Sequence, residues 1–155
     1  MHIYFFLFKI EYNPGHNIGL YIINISKIKM VNNLKGYIYV REHEAYEIHS
    51  ACKLGIAQNI PDRDSQYATG EIRRGKFTEV FEVPLKSMST IEKLLQSEFA
   101  SYNIRFDGGT EFYSKDIIVL IEPYFKRLNI DYRRLYADQI RKLIRNKRVR
   151  DKLKS

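Results

Sequence analysis

The pattern of hydrophobic and polar residues predicts three main strands in this chain. Residues 37–40 and 48–56 are rich in β-branched and aromatic side chains, and the polar connection between them predicts a hairpin. Residues 77–83 alternate apolar and polar positions and end at Pro84, which is typical of a strand with a defined end. A short strand is predicted at residues 111–113, after a turn-forming Asp-Gly-Gly sequence.

The helical spacing of apolar residues predicts four helices. The first opens at Asn59-Ile60-Pro61 and closes at Gly70, with Pro61 in the first turn, where its missing N–H costs nothing. The others cover residues 89–102, 117–125 and 131 to about 151. Together these elements predict an α/β (α+β) fold. A small, mostly antiparallel three-stranded sheet is flanked by helices and followed by a basic C-terminal helical arm.

The basic charge of the chain is concentrated at its C-terminal end. The 155 residues carry a formal net charge of +8. Residues 126–155 contain 12 Lys/Arg against 3 Asp/Glu, whereas residues 1–125 contain 14 against 15. Such a segment is expected of an arm that neutralises phosphates. The alternative is a solvated basic helix kept for solubility.

The chain divides into three predicted segments. Residues 1–29 form an N-terminal extension that is loosely attached, or that is not translated because synthesis begins at Met30. Residues 30–125 form the globular domain, and residues 126–155 form the basic helical arm. The intact mass of the native protein distinguishes the two interpretations of the extension.

Composition excludes several classes of protein. The single cysteine, Cys52, excludes an internal disulfide and a cysteine-based zinc cage. No apolar run approaches the roughly 20 residues needed to span a bilayer. We therefore expect a soluble, intracellular protein without a membrane partner. The composition, rich in Ile, Asn, Lys and Tyr, suggests a viral or phage gene, which would place the protein in the host cytoplasm or nucleus.

Several short motifs follow one another in a distinctive order. Gly36-Tyr37-Ile38-Tyr39-Val40 lies in the first strand and Lys53-Leu54-Gly55 in the second. Arg63 and Tyr67 are one turn apart in the first helix, and Glu92 is near the start of the next. This order resembles the GIY-YIG nuclease superfamily over about residues 36–123. Lysine in the second motif resembles the phage and large-DNA-virus branch of that superfamily.

The resemblance implies a role for each motif residue in phosphodiester hydrolysis, which needs a base, a cation, a metal ion and an anion that holds the metal. Tyr39 would orient or deprotonate water, its pKa lowered by a nearby metal or cation, with help from Lys53. Arg63 would bind the scissile phosphate, with Tyr67 beside it. The alternatives are a packed strand tyrosine, a surface lysine and a solvated helix face.

Glu92 resembles the metal-binding glutamate of the superfamily, and the implied cofactor is one Mg²⁺ or Mn²⁺ ion. Alternatively, Ser89-Thr90-Ile91-Glu92 is a capping box, in which Glu92 bonds only to the backbone N–H of Ser89. Gly36 and Gly55 are the implied structural glycines of the two motifs, and an ordinary turn is the alternative for Gly55. Gln96 stands where the family has a histidine, which argues against any role that needs an imidazole.

The sequence thus predicts a metal-dependent endonuclease that hydrolyses DNA, with RNA as an open alternative and a homodimer needed to cut both strands. Non-specific affinity is assigned to cations of the arm. These are Arg133, Arg134, Arg141, Lys142, Arg145 and Arg148. Two rivals are an inactive nucleic-acid-binding module of the same fold and a protein-interaction module that uses the C-terminal helix. The catalytic hypothesis requires the Glu92 carboxylate and the Arg63 guanidinium on one side of the sheet.

Overall fold

The computed structural model describes residues 34–105 and 109–152, with side chains described as far as Lys147. The predicted extension at residues 1–29 and the alternative start at Met30 lie outside these residues. So does most of the predicted Asp-Gly-Gly turn. Within the described part of the chain, no helix combines the length and the apolar content needed to cross a membrane.

The fold is α+β and is built on one antiparallel sheet of five strands in the order β4-β2-β1-β3-β5. The strands are β1 Lys35–Glu42, β2 Ala51–Ala57, β3 Lys76–Pro84, β4 Phe112–Ser114 and β5 Arg133–Leu135. The prediction of a three-stranded sheet is therefore wrong. The three long central strands match it, and the short strand predicted at residues 111–113 is β4, but its place at one sheet edge and the whole of β5 at the other were not predicted, because segments this short carry too little alternation.

Five helices surround the sheet. They are α1 Glu44–Glu47, α2 Ile60–Ala68, α3 Met88–Glu98, α4 Ile117–Arg127 and α5 Ala137–Lys152. The short α1 lies in the β1–β2 connection, for which the sequence predicted only a polar loop. The predicted helix from residue 131 is wrong at its start, because the chain first forms β5 against β3. Helix α5 begins after Tyr136, whose backbone N–H donates to the Gln139 Oε1 atom.

The sheet separates two apolar clusters, because side chains alternate between its faces. On the first face, Ile38 and Val40 pack with Ile91 of α3 and Ile121 of α4. On the second face, a smaller cluster joins Tyr39, Ile60, Phe77, Leu135 and Ile140. Helices α2 and α5 contact each other over this second cluster. Both faces of β1 are consequently buried, as expected of a central strand.

Candidate functional site

Tyr39 and Gly55, the central residues of the two sequence motifs, are direct partners across the β1–β2 ladder. A Cβ atom on residue 55 would lie 2.6 Å from the Tyr39 hydroxyl oxygen and 2.7 Å from Cζ. The tyrosine ring thus lies over the glycine on the second face of the sheet. The alternative that Gly55 forms an ordinary turn is wrong. Gly36 has an analogous role on the first face, where a Cβ would meet the Met88 sulfur at 2.6 Å.

Helix α2 brings two more predicted residues to Tyr39. The Asn59 side chain caps the helix by accepting from the Asp62 N–H, and Pro61 occupies the first turn, as predicted. Arg63 Nε donates to the Tyr39 hydroxyl oxygen at 3.0 Å. The Tyr67 and Tyr39 hydroxyl oxygens are 2.9 Å apart. Tyr39 of β1 and Arg63 and Tyr67 of α2 therefore form one hydrogen-bonded group, which we call the tyrosine pair with Arg63.

Three cations surround the Tyr67 ring. The guanidinium carbon of Arg41 lies 3.9 Å from the ring centroid, that of Arg63 at 5.1 Å and the Lys53 Nζ atom at 5.6 Å. These distances fall within the range of cation–π attraction. The cations come from β1, α2 and β2, so the arrangement forms only when the sheet and helix are assembled. We call these three residues the cation cluster.

Two members of the cation cluster have carboxylate partners. Arg41, which is 0% exposed, pairs with Glu71 at 2.5 Å. Lys53 pairs with Glu111 at 2.6 Å. Arg63 forms no ion pair among the residues that the structure describes, and its guanidinium nitrogens bond instead to Tyr39 and to the Gln66 Oε1 atom. One positive charge of the cluster is therefore not neutralised by a carboxylate.

Burial controls the protonation of both phenols. Burial raises the pKa of Tyr39 well above its usual range, and the hydrogen bond with Tyr67 adds to this, while Arg63 acts in the opposite direction. We expected a nearby metal or cation to lower the pKa of Tyr39, and the Arg63 guanidinium does not do so, because desolvation outweighs it. Burial also raises the pKa of Tyr67, against the lowering effects of the Tyr39 hydrogen bond, Arg63 and Arg41.

Glu92 is set apart from these residues. Its helix, α3, packs Ile91 and Leu95 into the first-face cluster, whereas Arg63 lies on α2 over the second face. The two helices are on opposite faces, so the side chains of Glu92 and Arg63 can meet only at an edge of the sheet, and their placement on one side of it stays a prediction. The capping-box alternative is also wrong, because α3 starts at Met88 with Ser87 as its N-cap, and Ser89 is already inside the first turn.

Glu111, at the edge of the sheet, interacts electrostatically with Glu92 and with cations of the second face. Burial raises the pKa of Glu92, and the negative charge of Glu111 raises it further. Glu111 also pairs with Lys53. The hydrogen bond to Tyr39 raises the pKa of Arg63, and the negative charge of Glu111 adds a smaller contribution. Strand β4 covers β2 only from Ala51 to Lys53, and Leu54 N–H donates to the Glu111 carbonyl. Beyond this point the described ladder leaves the β2 edge unpaired.

Comparison with protein-family models matches residues 36–146 to the T5orf172 domain. This range covers more than half of the chain and contains every motif residue described above. The chain belongs to the T5orf172 domain family. This domain is found in a phage-derived, nuclease-like family, which is compatible with a nuclease of the GIY-YIG or HNH type. No curated protein and no solved structure matches the chain.

The T5orf172 match extends through β5 and into α5, past the boundary predicted at residue 125. Arg133 pairs with Glu82 at 2.7 Å, and Arg134 pairs with Glu79 at 2.7 Å and with Glu122 at 2.8 Å. These two predicted arm cations are therefore engaged in joining β5 to β3 and α4. They are not part of a detached helix, and the helical assignment at these positions was wrong.

The remaining arm cations lie on α5. Arg141, Lys142 and Arg145 line a groove between α2 and α5, together with Arg74 and the polar side chain of Asn59. The side chain of Arg148 is outside the described residues. Helix α5 is held against the second face of the sheet by buried Ile140. The groove begins on the same helix, α2, that carries Arg63.

Sequence reasoning missed Arg41, Glu71 and Glu111 as residues of this T5orf172 site. Arg41 is two positions after Tyr39, so strand alternation places it on the same face, and this signal was available. Glu71 and Glu111 are far from their partners in sequence, and only the assembled sheet pairs them. Across the described residues, no group of three or more His, Cys, Asp or Glu side chains could hold a metal ion.

Proposed function

We propose that this T5orf172 domain is a metal-dependent endonuclease of the GIY-YIG type that hydrolyses DNA phosphodiester bonds. The observation that carries the proposal is the Arg63 guanidinium, which meets two tyrosine side chains but no carboxylate among the described residues. A half-buried cation without a counter-ion favours an anionic ligand. A guanidinium presents paired donors that match phosphate oxygens.

Each side chain of the second face has a part in this proposal. Arg63 binds the scissile phosphate and stabilises the charge that develops on it. Lys53, held by Glu111, adds a second positive charge at the β2 edge. The tyrosine pair orients the attacking water and accepts its proton. Glycine at position 55 leaves room for Tyr39 to reach this group.

Glu92 is the proposed ligand of one Mg²⁺ or Mn²⁺ ion. Magnesium uses one or two carboxylates and completes its shell with waters and substrate phosphates, so a site without three protein ligands fits this ion. The raised pKa of Glu92, caused by burial and then by Glu111, fits as well, because a cation would relieve both effects. When bound, the ion would neutralise charge on the phosphate. At the part of the β2 edge that the described ladder leaves unpaired, Glu92 and Arg63 would both contact one phosphate.

The groove lined by Arg141, Lys142 and Arg145 is the proposed path of the nucleic-acid backbone. Contacts to phosphates position a duplex without reading its sequence. We assign non-specific affinity to these α5 cations, with Arg148 as a further candidate. Arg133 and Arg134 contribute less than the sequence predicted, because glutamates already neutralise them.

A second candidate function is a nucleic-acid-binding module without catalysis. The placement of α3 on the first face favours it, because Glu92 does not join the tyrosine pair with Arg63. Gln96, exposed on α3, also favours it, because no imidazole is present there. Both candidates predict DNA binding. They differ in whether a phosphodiester bond is broken.

Supercoiled plasmid with Mg²⁺ or Mn²⁺ distinguishes the two candidates. The endonuclease predicts conversion to nicked circles by the wild-type protein, loss of this conversion in Glu92→Gln, and retained DNA binding by that variant. Glu98→Gln is the matched control, because Glu98 lies on the same helix but pairs with Arg127 at 2.5 Å. Binding by the wild-type protein without any nicking would support the inactive module instead.

A further inference from the structure

The direction of the hydrogen bond between Tyr39 and Tyr67 distinguishes the two phenols. Arg63 Nε donates to the Tyr39 oxygen at 3.0 Å, and the two hydroxyl oxygens are 2.9 Å apart. A phenol oxygen that accepts from Arg63 has its own proton available for a second partner. If Tyr39 gives this proton to Tyr67, the Tyr67 oxygen is the acceptor of the hydrogen bond between the two phenols. A donated hydrogen bond stabilises the negative charge of a phenolate.

The cation cluster favours the same residue. Arg41, Lys53 and Arg63 all lie within 6 Å of the Tyr67 ring centroid. Glu71 and Glu111 neutralise two of the three, so one positive charge is left for an anion beside the ring. Tyr39 has the Arg63 contact, and the aromatic rings that pack on it within the described part of the chain are the apolar Phe77 and Tyr67 itself.

Water can approach only one of the two phenols. Tyr39 is 0% exposed, beneath α2 and over Gly55. Tyr67 is half-buried on the outward side of the pair. A general base must come within hydrogen-bond reach of the proton that it removes, directly or through one water. This condition excludes the more buried phenol.

We propose that Tyr67, and not Tyr39, is the proton acceptor for the attacking water, and that Tyr39 is a positioning residue that donates a hydrogen bond to the Tyr67 oxygen. This inference rests on the endonuclease function proposed above. Tyr67 first loses its proton to solvent. The phenolate then takes a proton from water as the water oxygen bonds to phosphorus. The bond from phosphorus to the leaving deoxyribose oxygen breaks, and that oxygen takes a proton from solvent water. The hydroxide so formed deprotonates Tyr67 again.

The groups that face Tyr67 determine the pH dependence of this step. Strand β1 contributes Tyr39 and Arg41, β2 contributes Lys53, α2 contributes Arg63, and Tyr46 of α1 acts from farther away. Phe77 of β3 packs on the ring without a charge. Burial raises the pKa of Tyr67, so the rate should rise with pH across the alkaline range as the phenolate forms.

The test is the rate of plasmid nicking from about pH 7 to 10 for the wild type, Tyr39→Phe and Tyr67→Phe, where each change removes only one hydroxyl oxygen. Tyr67→Phe should lower the rate by about 10²–10⁴-fold and abolish its rise with pH. Tyr39→Phe should keep the rise but move it to higher pH, because the donor to Tyr67 is lost. A rise with pH that survives in Tyr67→Phe would overturn the proposal.

A second measurement tests the inference without relying on activity. Protein carrying tyrosine labelled with ¹³C at Cζ is titrated by NMR, and the two signals are assigned from the phenylalanine variants. We expect Tyr67 to ionise at lower pH than Tyr39. The opposite order would overturn the proposal. If the wild-type protein nicks no DNA, the endonuclease function fails, whereas the order of ionisation still gives a separate answer for the tyrosine pair.

Discussion

The hydroxyl oxygen of Tyr39 lies 2.6 Å from the position that a Cβ atom on residue 55 would occupy. No Cβ atom tolerates a contact this short with a neighbour held on both sides, and Tyr39 is held by Arg63 and Tyr67. The two sequence motifs are therefore coupled by steric fit. One motif provides the phenol, and the other provides the space in which the phenol lies.

Gly55→Ala should displace Tyr39 and destabilise the protein by about 1–3 kcal/mol, the usual cost of overpacking a filled site. Thermal or denaturant unfolding measures this change. Gly70→Ala is the matched control, because a Cβ there would meet nothing within 4 Å. Equal stability of the two variants would show that the Tyr39 ring does not lie over residue 55.

Glu71→Gln should destabilise the protein by about 3–5 kcal/mol, because it leaves the buried Arg41 guanidinium without a counter-ion. The Nε and Nη1 atoms of Arg41 already have no hydrogen-bond partner among the described residues. The control is Glu44→Gln, which breaks the exposed pair with Arg73 and should cost below about 1 kcal/mol. A small effect of the Glu71 change, measured by urea unfolding, would contradict the buried-pair assignment.

Glu82 should make the stability of the protein depend on pH in the acid range. Burial acts to raise the pKa of Glu82, but Lys35 and Arg133 outweigh it, and the net pKa is lowered from 4.5. The resulting contribution is fully present above the unfolded-state pKa and is lost as pH falls through the folded-state pKa. We expect it to be below about 1 kcal/mol, because both cations are more than half exposed.

The measurement is the midpoint of urea unfolding at a series of pH values below about 6. The wild-type protein should lose stability on acidification more steeply than Glu82→Gln, in which the titrating group is absent. Identical slopes for the two proteins would mean that the ion pairs of Glu82 add nothing to the folded state.

Replacing Arg141, Lys142 and Arg145 with alanine should weaken DNA binding and reduce its salt dependence. If each cation neutralises one phosphate, the slope of log K against log salt falls by about 0.9 per residue. Filter binding or anisotropy over a range of salt concentrations gives this slope. The comparison is Arg133→Ala with Arg134→Ala, which should lower stability through lost contacts to Glu82 and Glu79 while changing the slope less. Equal changes in slope for the two sets of variants would mean that all the arm cations contact DNA, as the sequence predicted.

The local elements of the site could be predicted from sequence because their signals are local. Pro61 and Gly70 mark the ends of α2, and the spacing of Arg63 and Tyr67 places both on one face of it. The three central strands have enough alternating residues to be recognised. The pairing of Tyr39 with Gly55 depends on the register of the two strands, which local sequence patterns do not determine.

The errors arose where distant residues decide the local structure. Residues 133–135 have the composition of an amphipathic helix, but Glu79 and Glu82, about fifty positions earlier, pair with their arginines and favour a strand. Likewise, nothing near Glu92 in sequence shows which face of the sheet α3 covers. The raised pKa of Tyr39 could not be predicted either, because it follows from burial beneath a helix.

The most direct test of the account compares Arg63→Ala with Arg73→Ala in nicking of supercoiled plasmid with Mg²⁺ or Mn²⁺. Arg73 is a matched control, because it is exposed and pairs with Glu44 on the surface. We predict that the wild type and Arg73→Ala nick the plasmid, and that Arg63→Ala is slower by about 10²-fold or more while remaining folded. Nicking by Arg63→Ala at the wild-type rate would contradict the proposed site.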